Sequence, residues 1–188
     1  MYKFFKRSLD IVVSFVALII IIPLMLPIII VLIFTAEGYI FYLQDRIGLD
    51  RQKFKIIKFA TMLKDSPNLA SGSITIKDDW RVTKPGKFLR KTKINELPQI
   101  INILKGDISL VGPRPLVNKT FSAYSEEVQS KIYKLKPGIT GIGSIIFRDE
   151  ESIISAATDE DPHEFYKRVI APYKGELEMW YQENNSFF

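Results

Sequence analysis

The chain has 188 residues, 47 % of them hydrophobic, so it is too apolar to be disordered and too short for two domains with separate cores. It contains no cysteine and a single histidine, His163, which excludes disulfide frameworks, thiolate zinc centres, cysteine nucleophiles and multi-histidine metal sites. The formal net charge of +5 is unevenly placed: residues 51–119 carry 15 Lys and Arg against 5 Asp and Glu, whereas residues 120–188 carry 7 against 12.

The first element is a run of 26 residues without a charge, Ile11 to Ala36. About 20 apolar residues suffice to cross a bilayer, and a soluble helix that is apolar on every face is unusual in so small a protein. The run is also too long for a signal-peptide core and lacks a small-residue cleavage pattern. Residues 1–36 therefore read as a membrane anchor and residues 37–188 as the domain it carries. Pro23 and Pro27 each remove a backbone donor and crowd the carbonyl four residues back, so a kink or break is expected between Ile22 and Pro27. Lys3, Lys6 and Arg7 precede the run and the cationic middle follows it. A re-entrant hairpin keeps both basic regions on the cytoplasmic side, in line with the positive-inside tendency. A kinked but complete span is the alternative.

Tyr39–Gln44 and Phe54–Phe59 are short, aromatic and β-branched, and they bracket a turn-rich segment. They predict a small β-hairpin. Residues 65–87 contain Pro67, Gly72, Pro85 and Gly86 and read as loop, with one strand at Ser73–Ile76. A helix is expected from an N-cap at Asn95, with Pro98 in its first turn and a stop at Gly106. A second spans about Ser125–Leu135. A third opens at Asp161-Pro162-His163-Glu164, is interrupted by Pro172, and leaves a last amphipathic piece with Leu177, Trp180 and Tyr181. The expected fold is α+β and mainly α: a re-entrant membrane helix-hairpin, a small β-hairpin, and a compact helical cytoplasmic domain with interfacial amphipathic helices.

No nucleotide-binding P-loop is present, and the glycine turn at Gly138–Gly143 does not follow the dinucleotide pattern. Phosphate recognition then falls to arginines. The candidates are Arg90, Arg114 in Gly112-Pro113-Arg114-Pro115, and Arg148. An arginine between two prolines has a fixed backbone, which suits a guanidinium that must meet phosphate oxygens with both arms.

Four stretches are distinctive together: Lys87-Phe88-Leu89-Arg90-Lys91-Thr92, Glu96-Leu97-Pro98-Gln99, Asn102 to Asp107 (NILKGD), and Ser109 to Pro115 (SLVGPRP). With Phe54–Met62, the turn Lys136 to Gly141 and Trp180 to Asn184, they resemble the bacterial sugar transferase family, the monotopic phosphoglycosyl transferases. The resemblance implies transfer of a sugar-1-phosphate from a UDP-sugar to polyprenol phosphate, with UMP released, as the first membrane step of a bacterial surface-glycan pathway. It implies Mg2+ as cofactor and a bacterial inner membrane location with the catalytic domain on the cytoplasmic face. Its expected partners are the lipid membrane and downstream glycosyltransferases; a homodimer is left open and nucleic acid is not expected. The family carries an Asp-Glu pair where this chain has Asn95 and Glu96, and arginines matching Arg90, Arg114 and Arg148 are expected around the phosphates. Glu96 is the expected metal ligand. Family members usually continue into another apolar segment, so this chain looks short at its C-terminus.

Three positions depart from the pattern. Ala60 stands where an arginine is common, and Ile22 where a serine often precedes the helix-breaking proline. Asn95 replaces the family aspartate, and an amide is not a competent nucleophile towards phosphorus. The alternative function is therefore a catalytically inactive, membrane-bound nucleotide-sugar binder or scaffold.

Overall fold

The computed structural model describes residues 2–35, 38–69, 79–157 and 160–185. The strand expected at Ser73–Ile76 lies outside the described residues. Among the described residues the fold is mainly helical, with two small sheets and one long apolar N-terminal helix.

That helix, α1, runs from Tyr2 to Thr35 without interruption through Pro23 and Pro27. The expected loss of helix at Ile22–Pro27 does not occur. Both prolines lie on the exposed face, and prolines are tolerated in apolar helices whose neighbours restrain them. The helix is apolar all round, yet only one stripe is covered: Asp10, Ser14, Met25 and Leu32 are buried, and Ala17, Leu18, Ile21, Ile28 and Ile29 pack beside them. This spacing of three and four residues defines one helix face. Phe15, Ile19, Ile20, Leu24 and Phe34 remain exposed on the other faces.

The hairpin forms, with its first strand starting two residues later and its second one residue earlier than the sequence pattern predicts. Strand β1 is Phe41–Ile47 and β2 is Lys53–Phe59, antiparallel, with Phe41 opposite Phe59 and Ile47 opposite Lys53. The Phe41 and Phe59 rings stack at 5.5 Å, and this cross-strand pair sets the register.

Helix α2, Lys84–Lys91, is capped by the Thr83 side chain, which accepts from the Gly86 N–H. Helix α3 is Gln99–Lys105, with Pro98 rather than Asn95 at its N-cap and Gly106 closing it at φ 90°. The residues just ahead of it form a tighter turn: Ile94–Glu96 is a 3-10 segment entered through Lys93 at φ 59°. Pro98 has no N–H to donate back along an α-helical turn, so that turn is not enforced here. Asn95 consequently caps nothing.

Beyond α3 come β3 (Ser109–Val111), α4 (Asn118–Phe121), α5 (Glu126–Lys131), β4 (Gly138–Thr140), α6 (Ile142–Ile146) and α7 (Glu150–Ala156). The α5 N-terminus is capped by Ser125 as its sequence predicts, and its last turn winds down as 3-10 over Ile132–Lys134. The closing helix starts at α8, Pro162–Phe165, capped by Asp161, and continues into α9, Ala171–Glu183. Pro172 does not interrupt it. A π-helical turn over Tyr166–Ile170 widens the helix where the proline ring would meet a carbonyl. The main core packs Ile47, Leu116, Phe121, Tyr133, Tyr166 and Ile170 between the hairpin, α4 and α9.

Candidate active site

The parallel pair β3–β4 sets Ser109 beside Gly138 and Val111 beside Thr140, a pairing the sequence pattern did not predict. The two backbones run so close after Val111 that a Cβ on Gly138 would lie 2.1 Å from the Gly112 nitrogen. Only glycine fits there. The turn that follows, Gly112-Pro113-Arg114-Pro115, has its polar backbone groups accounted for. Gly112 N–H donates to Thr140 O at 2.9 Å, and Gly138 N–H donates to Pro113 O at 2.8 Å. The Tyr133 hydroxyl donates to Arg114 O at 2.8 Å and accepts from Leu116 N–H at 2.9 Å. Arg46 donates from Nη1 to Pro115 O at 2.9 Å. The Arg114 N–H faces the carboxylate of Glu178 on α9. Both prolines lack N–H groups, so no donor is left over in the turn.

Glu96 reaches the same place from the 3-10 turn ahead of α3. Asn102, fully buried in α3, holds that helix to β2: its amide accepts from Ile57 N–H at 3.0 Å and donates to Lys55 O at 2.8 Å. From β2, Lys58 meets the Glu96 carboxylate at 3.0 Å, and Arg114 approaches it at 3.7 Å. Arg46 and Lys58 share one hairpin face because residues 46, 54, 56 and 58 alternate to the same side in this register. Together Arg46, Ile56, Lys58, Glu96, Gln99, Arg114, Pro115, Gly138 and Ile139 line a pocket.

The electrostatics of that pocket favour an added anion. Burial pushes the Glu96 carboxyl up, but Lys58 and Arg114 outweigh it and hold the group at about 2, so Glu96 is ionised. Burial pulls Lys58 down to about 8, with Arg46 and Arg114 adding repulsion and Glu96 opposing. Burial and Arg114 lower Arg46 to about 10. Three cations crowd one carboxylate, and a phosphate group brought among them would relieve their mutual repulsion.

Residues 1–188 match the family model for the bacterial sugar transferase. The chain belongs to that family. It is 36 % identical over 148 residues to a UDP-N-acetylgalactosamine-undecaprenyl-phosphate N-acetylgalactosaminephosphotransferase of Aeromonas hydrophila, covering 77 % of this chain and 34 % of that protein. It is 38 % identical over 149 residues to the uncharacterized sugar transferase EpsL of Bacillus subtilis, covering 79 % of this chain and 63 % of the relative. A UDP-glucose:undecaprenyl-phosphate glucose-1-phosphate transferase of Klebsiella pneumoniae is 40 % identical over 145 residues, covering 75 % of this chain and 30 % of that protein. The chain thus spans about a third of the Aeromonas and Klebsiella proteins and under two thirds of the Bacillus one.

Glu96 and Arg114 come together as pocket residues, whereas Arg90 and Arg148 do not line the pocket. Arg90, on α2, pairs instead with Glu151 of α7 at 2.6 Å. Arg148 is exposed in the turn after α6. Asn95 is buried, and its Oδ1 has no hydrogen-bond partner. Among the described residues there is no cluster of three or more His, Cys, Asp or Glu able to hold a metal. The sequence reading missed Lys58 and Arg46 as site residues. Hairpin alternation was the signal that could have found them, once β1 and β2 were placed in register. Nothing local in the sequence marks Tyr133 or Glu178, which act across the fold.

Proposed function

We propose that the chain transfers a sugar-1-phosphate from a UDP-sugar to a polyprenyl phosphate. The observation that carries this reading is the cationic pocket of Arg46, Lys58 and Arg114 around an ionised Glu96, in a chain whose relatives are named as UDP-sugar and undecaprenyl-phosphate transferases. In the reaction the phosphoanhydride bond of the UDP-sugar breaks, UMP leaves, and a new bond forms between the sugar phosphorus and an oxygen of the lipid phosphate. Lys58 and Arg114 suit the diphosphate oxygens, where negative charge builds on the leaving UMP. Glu96 stays ionised and holds both cations in place. Asn95 carries no nucleophile, so the reading favours direct attack by the lipid phosphate.

Mg2+ belongs to the same proposal. The residues fit it in one respect: Glu96 offers a carboxylate, and the unpartnered Asn95 Oδ1 offers a second hard oxygen next to it in the chain. Mg2+ held there would neutralise phosphate charge that the cations leave uncovered.

The membrane arrangement is proposed on two contacts at opposite ends of α1. Near its start, Lys6 donates to Val111 O at 2.7 Å, and Arg7 donates to Ile103 O at 2.6 Å and Leu104 O at 2.8 Å. Asp10 accepts from the Ser109 hydroxyl at 3.1 Å and from Leu110 N–H at 3.0 Å. Near its end, Leu32 is fully buried with Phe59 and Leu89. A helix tied at both ends to one domain does not carry one end to the far side of a bilayer, though 25 residues of helix span roughly 37 Å. These contacts support a helix that enters the bilayer from the cytoplasmic side without crossing it, with Ile145, Ile146, Tyr173 and Trp180 as exposed apolar groups for the interface. The inner membrane is the expected location, and downstream glycosyltransferases are the expected consumers of the product.

The test is UMP release from a panel of UDP-sugars, with undecaprenyl phosphate and Mg2+, each also run without acceptor. Release that requires acceptor supports direct transfer; release without it supports a covalent step. Asn95 is the one observation favouring the inactive alternative. No UMP from any donor, together with activity in Asn95→Asp, would establish that alternative. Topology is read separately: Lys3→Cys and Lys53→Cys, in a chain without native cysteine, should both resist an impermeant reagent applied outside intact cells.

A further inference from the structure

Tyr133 is among the largest fully buried side chains of the molecule. Its ring stacks on Phe121 at 5.7 Å, which accounts for the ring but not for the hydroxyl. A buried hydroxyl needs partners, and this one has two, both in the arginine turn. It donates to Arg114 O and accepts from Leu116 N–H, so it spans Pro115 and ties the two residues flanking it. Pro115 itself is held from the pocket side by Arg46. Tyr133 comes from the 3-10 turn after α5 and does not itself line the pocket.

We propose that Tyr133 is a positioning residue for the transfer: its hydroxyl fixes the Arg114 backbone so that the guanidinium projects into the pocket beside Glu96. The inference rests on the reading of the pocket as a diphosphate site, and it adds a residue that touches no substrate. Arg114 has a side chain with several rotatable bonds, so its aim depends on a backbone that does not shift. An error of about 1 Å in such a group can cost on the order of a hundredfold in rate. Pro113 and Pro115 fix their own φ and Pro115 narrows ψ at Arg114, yet within that range the Arg114 carbonyl still tilts unless a group binds it. The hydroxyl of Tyr133 is that group.

The experiment compares Tyr133→Phe with Tyr124→Phe in the full chain, purified in detergent. Tyr124 is also buried in this core, and its hydroxyl bonds that of Tyr166 at 3.3 Å rather than the turn backbone. Both variants keep a ring and lose one buried hydroxyl, so a general packing loss affects both. Two readouts are taken: binding of inorganic pyrophosphate by calorimetry, and steady-state kinetics with the UDP-sugar that the donor panel identifies. Tyr133→Phe should weaken pyrophosphate binding and kcat/KM by about tenfold each, with Tyr124→Phe within about twofold of the wild type. The double variant Tyr133→Phe/Arg114→Lys should be no worse than Arg114→Lys alone, because the two act as one unit. If wild-type turnover is absent but pyrophosphate binds and Tyr133→Phe alone weakens it, the transferase reading fails and the positioning role stands. Equal effects of the two tyrosine variants, no effect of Tyr133→Phe, or no pyrophosphate binding by the wild type would each overturn it.

Discussion

The Arg114 turn and the outlying Arg90 and Arg148 carry the same side chain in opposite mechanical settings. At the turn, backbone groups from Gly112 to Leu116 are bound by Thr140, Gly138, Tyr133 and Arg46. Outside the pocket lining, Arg90 is held by one ion pair to an exposed Glu151, and Arg148 sits exposed in a turn. An exposed pair of that kind is worth less than about 1 kcal/mol and breaks readily. The difference teaches that charge alone does not identify a built phosphate site; restraint on the backbone beneath the charge does. Arg114 is held in the pocket before any ligand arrives.

Breaking the turn outright should have the largest effect. Gly138→Ala forces a Cβ against the Gly112 nitrogen and should cost several kcal/mol of stability, with loss of UMP release, measured by thermal unfolding and turnover. Arg114→Lys comes next. It keeps the charge but loses the planar fork, and kcat/KM should fall by about a hundredfold while the unfolding temperature stays near that of the wild type. Wild-type turnover in this variant would make the restrained turn a purely structural feature.

Glu178 probes the same turn through pH. Burial raises its carboxyl to about 7 from an ordinary 4.5, with Lys174 and the N–H groups of Arg114 and Gly143 opposing. Glu150 on α7 pairs with Lys174, which limits how far that lysine serves Glu178. A carboxyl raised in the folded state contributes stability fully below the unfolded value, and that stability is lost as pH rises through about 7. Glu178→Gln removes this loss. Between pH of about 4.5 and about 8 the variant should gain roughly 3 kcal/mol relative to the wild type, read as denaturant midpoints across the range. An unchanged difference across that range would sink the assignment. The smallest effect belongs to Arg90, outside the pocket lining: Arg90→Lys should change kcat/KM by about threefold or less, since a lysine can replace it in the pair with Glu151.

Much of this was legible from the chain, and the misses have definite causes. The apolar run, the hairpin, the caps at Ser125 and Asp161 and the stop at Gly106 all depend on neighbours within a few residues. The helix start at Asn95 failed because a 3-10 turn competes closely with an α-turn ahead of a proline, and packing of Asn102 on β2 favours the former. Of the kink or break expected at Pro23 and Pro27 the break is absent, and the interruption expected at Pro172 is absent too, for related reasons. Local proline chemistry weakens a helix, but a packed stripe in α1 and a π-helical turn before α9 carry the chain through.

By itself the sequence determined that a long apolar helix precedes a cationic domain, and that Glu96 and a proline-flanked Arg114 belong to one family pattern. Only the tertiary structure decided which cations share Glu96's pocket. Arg46 and Lys58 reach it through the register of two strands, and Arg90 is drawn away by a carboxylate 61 residues on. The restraint on Arg114 is likewise non-local, assembled from side chains at positions 46, 133 and 178. Such arrangements leave no local mark because each depends on long-range closure of the chain, where one residue of register decides which side chains meet.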